Sequence, residues 1–146
     1  MIFKILDFIQ WSPESFKTSN EVFRIGVMGK SPILRKIKTL EEERIKGLQV
    51  KVELVENVDN AKNFHLLYIC PKEISRMPSV LMATEGAKTL TISKAVDFAK
   101  KGGMVNFYEK KGKMSFEINL EMAQKSGFKI SSRVLSLSKI VNSENQ

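Results

Sequence analysis

The sequence predicts an α/β protein: a mostly parallel, twisted sheet with helices on both faces and a C-terminal antiparallel hairpin. Apolar segments of strand length alternate with amphipathic segments of helix length over residues 22–101, a pattern that places crossover helices on both faces of a parallel sheet. Two more apolar segments flank a Lys-Lys-Gly turn at residues 104–120, as in a hairpin. The length of 146 residues fits a single domain over residues 1–146.

The predicted elements follow this alternation along the chain. Strands are predicted at residues 22–29, 49–56, 66–70, 88–92, 104–107 and 114–120. Helices are predicted at residues 1–11, 33–46, 75–85 and 93–101, with a last helical segment rich in Ser and Leu around residues 133–140. The continuous apolar run at 66–70 indicates a strand covered on both faces. The strands at 24–28 and 66–69 are therefore expected to be neighbours in the sheet interior, with 50–55 outside them.

The apolar periodicities predict which side chains of three helices face inward. The N-terminal helix should pack an apolar stripe that includes Ile2, Ile5 and Ile9 on the sheet or on a partner chain. The helix after Ser31–Pro32 should have Ile45 on its inner face and end at Lys46–Gly47. The helix at 93–101 should bury Val96, Phe98 and Ala99.

The glycine pair and two asparagines mark the hairpin region. At least one of Gly102 and Gly103 is expected to have positive φ, because a helix must end and a strand begin within two residues. Asn106 and Asn119 lie one in each arm of the hairpin, although Asn is depleted in strands. Each is expected either to bond with backbone at a strand end or to line a pocket.

Composition excludes some functional classes and leaves others open. No window reaches the ~18 uninterrupted apolar residues that a membrane helix needs. The formal net charge is +8, but Lys predominates and is scattered among Glu, whereas nucleic-acid recognition uses clustered Arg and exposed aromatic side chains. A solvated basic surface is favoured over a nucleic-acid-binding face.

The sequence contains no recognisable catalytic or metal-binding constellation. Gly29–Lys30–Ser31 follows a strand as the end of a P-loop does, but Arg24 occupies the position that requires the first glycine. His65 and Cys70 should point to opposite faces of one strand, and no second ligand cluster exists. No His or Lys stands at a motif spacing from the four C-terminal serines, so capping and surface roles are expected for them. These four are Ser131, Ser132, Ser136 and Ser138. We therefore predict no enzyme activity, no cofactor and no metal.

A binding site is predicted from sheet geometry instead. In open α/β sheets ligands collect outside the carboxyl ends of the strands. The strands ending at Gly29, Cys70 and Ile92 should reach one edge and form a rim there, of Gly29, Lys30, Ser31, Pro71, Ser93 and Lys94. Two helix N-termini and two ammonium groups at this rim would favour a small anion or a carboxylate-bearing partner loop. The alternative is an ordinary loop edge wetted by solvent.

Three ordered motifs within residues 75–141 resemble the YfiR-like periplasmic regulator family. They are a strand that follows two glycines and ends in Phe, a Phe-x-Ile-Asn strand and an Ile-Ser-Ser segment that opens a helix. The residues that carry them are Gly102, Gly103, Asn106, Phe107, Phe116, Ile118, Asn119, Ile130, Ser131 and Ser132. The element ending in Trp11 and Pro13 resembles, with one inserted residue, the end of the family's first helix. We therefore expect the natural precursor to begin earlier, with an export signal.

The resemblance implies a non-catalytic periplasmic regulator. It implies a homodimer that restrains a membrane-bound diguanylate cyclase in cyclic di-GMP signalling, or a sensor domain that acts with a sensor kinase. Family members carry disulfides, whereas Cys70 is the single cysteine here, which puts disulfide-based redox control of this chain in doubt. A nucleic-acid- or small-anion-binding module remains open as an alternative. A small-molecule enzyme also remains open, but it would require acidic, His or Cys side chains converging at the sheet edge.

Overall fold

An eight-stranded sheet forms the centre of the molecule, which a computed structural model describes for residues 6, 9–10, 22–132, 135 and 138–141. Its strands are β2 (Val22–Met28), β3 (Arg44–Ile45), β4 (Leu48–Val55), β5 (Leu66–Ile69), β6 (Leu90–Ser93), β7 (Val105–Lys110), β8 (Lys113–Asn119) and β10 (Lys139–Val141). A separate two-stranded sheet pairs β1 (Ile9–Gln10) with β9 (Lys129–Ile130).

The strand order across the large sheet is β10-β8-β7-β6-β5-β2-β4-β3. In the described part of the chain, neighbouring strands run parallel except in the hairpins β3–β4 and β7–β8. As predicted, β2 lies beside β5 in the sheet interior, and β4 lies on the outer side of β2. The mostly parallel sheet and the C-terminal hairpin are both confirmed.

Helices cover both faces of this sheet. The α-helices are α1 (Ile33–Lys38), α2 (Met77–Thr84) and α3 (Leu120–Lys125), and short 3-10 helices form at Thr39–Glu42, Val58–Asn63 and Pro71–Arg76. Tyr68 of β5 belongs to the core that includes Ile37 of α1, whereas Leu67 belongs to the core that includes Val80 of α2. Because successive strand residues face opposite sides, β5 is buried on both faces, as its continuous apolar run predicted.

The long helix predicted after Pro32 is wrong in its second half. The α-helix ends at Lys38, and Ile45 lies in β3 instead of on a helix. The predicted helix end at Lys46–Gly47 is the turn of the β3–β4 hairpin, where φ is 55° and 77°. Positive φ at both central residues is the geometry of a tight hairpin turn. The Lys-Gly pair therefore reverses a strand.

Residues 94–102 do not form the predicted helix. They follow β6 as a series of turns, and Asp97 within them has φ of 61°, a conformation that interrupts a right-handed helix. Phe98 and Ala99 are buried, as expected, but Val96 is 82% exposed. The core residues were predicted correctly, whereas the helix and the inward position of Val96 were wrong.

The N-terminal helix does not extend to Ile9 and Gln10, which form strand β1. Leu6 and Ile9 are buried in the core, so Ile9 packs as expected, while Ile2, Ile5 and the residues around Trp11 lie outside the described residues. Antiparallel pairing with β9 holds this segment. A strand gives Ile9 the same burial that a helix would have given.

The C-terminal part contains three elements that were not predicted, namely α3, β9 (Lys129–Ile130) and β10. The helix α3 follows β8 directly, and β10 pairs in parallel with β8. Ile140 therefore lies in a strand, not in the last helical segment expected around 133–140. Ile130 lies in β9, so the Ile-Ser-Ser motif starts in a strand, while Ser132 is helical.

Gly102 and Gly103 each require glycine, but for two different reasons. Gly102 has φ of 101°, which confirms the expectation of positive φ in the pair. Gly103 has no positive φ, but the ring of Phe98 packs against it so closely that a Cβ there would overlap three ring carbons.

Every helix in the described residues is too short or too polar to cross a lipid bilayer.

Candidate functional site

Four neighbouring parallel strands reach one side of the sheet at the same level. Met28 of β2 pairs with Ile69 of β5, Tyr68 with Ile92 of β6, and Ser93 of β6 with Asn106 of β7. Three of these strands end at this level, and we call it the carboxyl edge. The structure thus brings the predicted rim to one edge, and its members are Gly29, Lys30, Ser31, Pro71, Ser93 and Lys94.

The hydroxyl groups of the rim are used within the protein. The Ser93 Oγ donates to the Ile69 carbonyl at 2.6 Å and accepts from the Ala95 N–H at 3.0 Å, and Ser93 is fully buried. The Ser31 Oγ accepts from the Ile33 N–H at 3.2 Å. These bonds fix the loops, so a ligand at the rim would meet lysine ammonium groups first.

Positive charge at the rim comes from lysine side chains. Lys30 and Lys94 are exposed, and neither forms an ion pair with another described residue. Of the two helix N-termini expected here, the one after Ser93 is absent because residues 94–102 form turns. Glu73 packs close to Gly29, but its carboxylate pairs with Arg76 at 3.1 Å. The predicted contribution of two helix dipoles is therefore wrong.

The two motif asparagines fasten the loop that follows β6. The Asn106 Nδ2 donates to the carbonyls of Ser93 at 3.1 Å and Ala95 at 3.0 Å. The Asn119 Nδ2 donates to the Ala99 carbonyl at 2.8 Å, and its Oδ1 accepts from the Met122 N–H at 3.1 Å. Both side chains are buried. Of the two interpretations left open by the sequence, bonding to backbone is the observed one, and it ties this loop to the hairpin.

The other motif residues of the hairpin build the core. Ile118 and Phe107 are buried, Phe116 packs partly buried on the same core, and the Phe107 ring lies 6.2 Å from that of Tyr68. The Tyr68 hydroxyl is buried and has no hydrogen-bond partner in the described part of the chain. Burial raises the pKa of this hydroxyl well above its usual value of 10.0, and the nearby Cys70 thiol raises it further.

Histidine and cysteine have structural surroundings. The His65 Nδ1 accepts from the Arg24 N–H at 2.9 Å, and its ring stacks on Phe23 at 5.3 Å. The Cys70 thiol is buried and lies 3.3 Å from the Gly29 carbonyl. Within the described residues, no group of three or more His, Cys, Asp and Glu side chains is arranged to hold a metal ion.

Sequence reasoning missed a groove of about 580 Å³ at the edge of the sheet opposite the carboxyl edge, where α2 and α3 end. Four apolar side chains line it, namely Leu81, Met82, Met104 and Met122. It forms where α2, α3 and the segment before β7 meet, so its members are far apart in sequence and share no periodicity. Sequence reasoning also missed Lys72, which lies three residues beyond Ile69 at the carboxyl edge.

A mostly parallel sheet covered on both faces defines an α/β domain. The chain belongs to the YfiR/HmsC-like family, whose family model matches residues 1–139. This family is regulatory and non-catalytic, and its members are periplasmic and act with partner proteins. No curated protein shows significant sequence similarity to this chain.

Several solved structures share the fold, and two of them are the following. The ABC domain from Streptococcus pneumonia in complex with L-Trp superposes with a TM-score of 0.61 at 17% identity, over 88% of this chain and 58% of that one. A conserved domain protein from Vibrio cholerae O1 biovar eltor gives 0.59 at 16% identity, over 88% and 60%. This chain spans less than two thirds of either structure, and identities this low show the fold alone.

Proposed function

We propose that this protein is a non-catalytic periplasmic regulator that restrains a membrane-bound diguanylate cyclase through protein–protein contact, acting as a homodimer. The family match over residues 1–139 carries the proposal. The site chemistry supports binding over catalysis, because the rim hydroxyls of Ser31 and Ser93 are committed to internal hydrogen bonds. Asn106 and Asn119 are likewise committed to backbone groups.

Restraint by contact requires a difference in affinity between two states of the cyclase. A regulator that binds the inactive conformation more tightly shifts the cyclase toward that conformation by the ratio of the two affinities. A preformed surface serves this role well because little ordering entropy is lost on binding. The loop after β6, held by Asn106 and Asn119, is such a preformed surface.

The test is a measurement of cyclic di-GMP in cells that lack this protein. Deletion should raise the cyclic di-GMP level, and the complete gene, with whatever export signal it encodes, should lower it again. Crosslinking in the same cells should capture a membrane protein with a periplasmic domain. The control is the same protein retained in the cytoplasm, which should not complement. Unchanged cyclic di-GMP together with no captured membrane protein would contradict the proposal.

A small-anion site at the rim is the alternative function. Lys30 and Lys94 support it because both are exposed and lack ion pairs among the described residues. Titration of labelled protein with anionic metabolites, followed by Lys30→Ala and Lys94→Ala, tests it directly. Binding that neither substitution weakens would exclude the rim as the site.

A further inference from the structure

Lysines follow the carboxyl ends of four adjacent strands. Lys30 comes two residues after β2, Lys72 three after β5 and Lys94 one after β6, while the β7–β8 hairpin supplies three more at its tip. We name these six the edge lysines: Lys30, Lys72, Lys94, Lys110, Lys111 and Lys113. Because neighbouring strands lie about 4.8 Å apart, the four strands spread these ammonium groups over roughly 14 Å.

The edge lysines are not neutralised by other described residues. All six are exposed, and the ion pairs in the described part of the chain involve other basic side chains. Two nearby carboxylates are already paired, Glu73 with Arg76 and Asp97 with Lys100. Exposed Glu109 on the hairpin and exposed Glu56, which follows β4 at the same level, offset only part of the positive charge. The edge therefore has a clear excess of positive charge.

The hairpin extends this charge away from the body of the protein. Asn106 pairs with Ser93 at the carboxyl edge, and β7 continues four residues further to Lys110, a projection of about 13 Å. Directly after Lys113, Met114 is 48% exposed near the tip. The tip thus combines three ammonium groups with an exposed apolar side chain, the two features that together bind proteins to an anionic lipid surface.

We propose that the carboxyl edge docks on an anionic phospholipid surface, with the edge lysines against headgroup phosphates and Met114 at the headgroup–acyl boundary. A small anion would contact one or two of these lysines, whereas an extended phosphate surface tilted against the projecting hairpin reaches both its tip and the strand ends. Lys acts as a point charge without the bidentate geometry of Arg, which suits a fluid headgroup layer better than one shaped acidic protein surface. This docking goes beyond the proposed restraint of a cyclase and does not depend on it.

The test compares binding of the whole chain to vesicles of about 30% phosphatidylglycerol in phosphatidylcholine with binding to phosphatidylcholine alone. Two variants neutralise the edge, Lys30→Gln/Lys72→Gln/Lys94→Gln and Lys110→Gln/Lys111→Gln/Lys113→Gln. A matched control neutralises three exposed lysines elsewhere, Lys62→Gln/Lys101→Gln/Lys129→Gln. Each triple lowers the formal net charge equally, from +8 by three.

We expect each edge triple to weaken binding to the anionic vesicles on the order of 100-fold, because each lysine near such a surface contributes roughly fivefold. The control triple should change binding by less than about threefold, and roughly 0.5 M salt should abolish the wild-type binding. Met114→Ser should weaken binding further without changing its salt dependence. Circular dichroism melts verify that every variant is folded.

Four outcomes would overturn the proposal. Equal loss in the edge and control triples would mean that only net charge matters. Absence of binding to anionic vesicles at low salt would exclude the lipid surface. Saturable binding of inorganic phosphate that blocks vesicle binding would make the edge a free-anion site. Edge-dependent binding to polyglutamate without vesicle binding would assign it to an acidic protein partner.

Discussion

The contact between Gly103 and the Phe98 ring predicts a large cost for a single methyl group. In Gly103→Ala, the new Cβ would overlap three carbons of that ring, so the ring must retreat by more than about 1 Å to reach normal contact. Phe98 is fully buried and cannot swing into solvent. Overpacking of this kind costs about 1–3 kcal/mol, and we expect the upper half of that range, a fall in Tm of roughly 6–10 °C.

Urea denaturation of Gly103→Ala, Phe98→Leu and the double variant measures this cost and its cause. The smaller side chain of Phe98→Leu should create a cavity and destabilise the fold alone, but it should also make room for the new methyl group. We therefore expect the loss of unfolding free energy in the double variant to be smaller, by at least about 1 kcal/mol, than the sum of the losses in the two single variants. Strict additivity, or a Tm for Gly103→Ala within about 1 °C of wild type, would refute the packing argument.

Three further changes test other contacts by urea denaturation. Gly102→Ala should lower the free energy of unfolding more than Gly86→Ala does. Both glycines have positive φ, but an added Cβ would meet a Leu81 methyl at 2.8 Å only at Gly102. We expect a loss of about 1 kcal/mol for Gly86→Ala, and equal losses would exclude the Leu81 contact as a source of strain. Tyr68→Phe should stabilise the protein by about 1 kcal/mol by removing an unpartnered buried hydroxyl. Burial raises the pKa of the wild-type Tyr68 hydroxyl above 10, so above pH 10 the unfolded chain ionises this tyrosine before the folded chain does, and the wild type loses stability progressively as the pH rises. The advantage of the variant should therefore grow as the pH rises past 10; a constant difference would contradict this. Asn119→Ala should cost about 2 kcal/mol through the lost cap on α3 and the unpaired Ala99 carbonyl, and a cost below about 0.5 kcal/mol would show that the loop is held otherwise.

Burial patterns made most of the sheet predictable, whereas turns were ambiguous. The uninterrupted apolar run of β5 fixed its place in the interior next to β2. Lys46–Gly47 could equally end a helix or reverse a strand, since both require positive φ at the glycine, and only pairing with β4 decides. Residues 94–102 have a helical apolar spacing, but hydrogen bonds from Asn106 and Asn119 hold them as turns.

The candidate site was predictable only as far as topology alone determines it. Strand ends placed Lys30 and Lys94 at one edge because parallel neighbours finish at the same level. Lys110 and Lys111 were assigned to a turn that Lys113 directly follows, and the register of β7 against β6 was needed to place that turn beyond the same edge.

The small sheet of β1 and β9 has a consequence for the order of folding. Ile9 pairs with Ile130, so this contact forms only after nearly the whole described chain is available, and contacts this distant in sequence are slow to close. Until then, Leu6 and Ile9, which are buried in the finished core, leave the face of the sheet that they cover open to water. A nascent or proteolysed chain that stops before Lys129 would expose this apolar face, and exposed faces of this kind associate with one another.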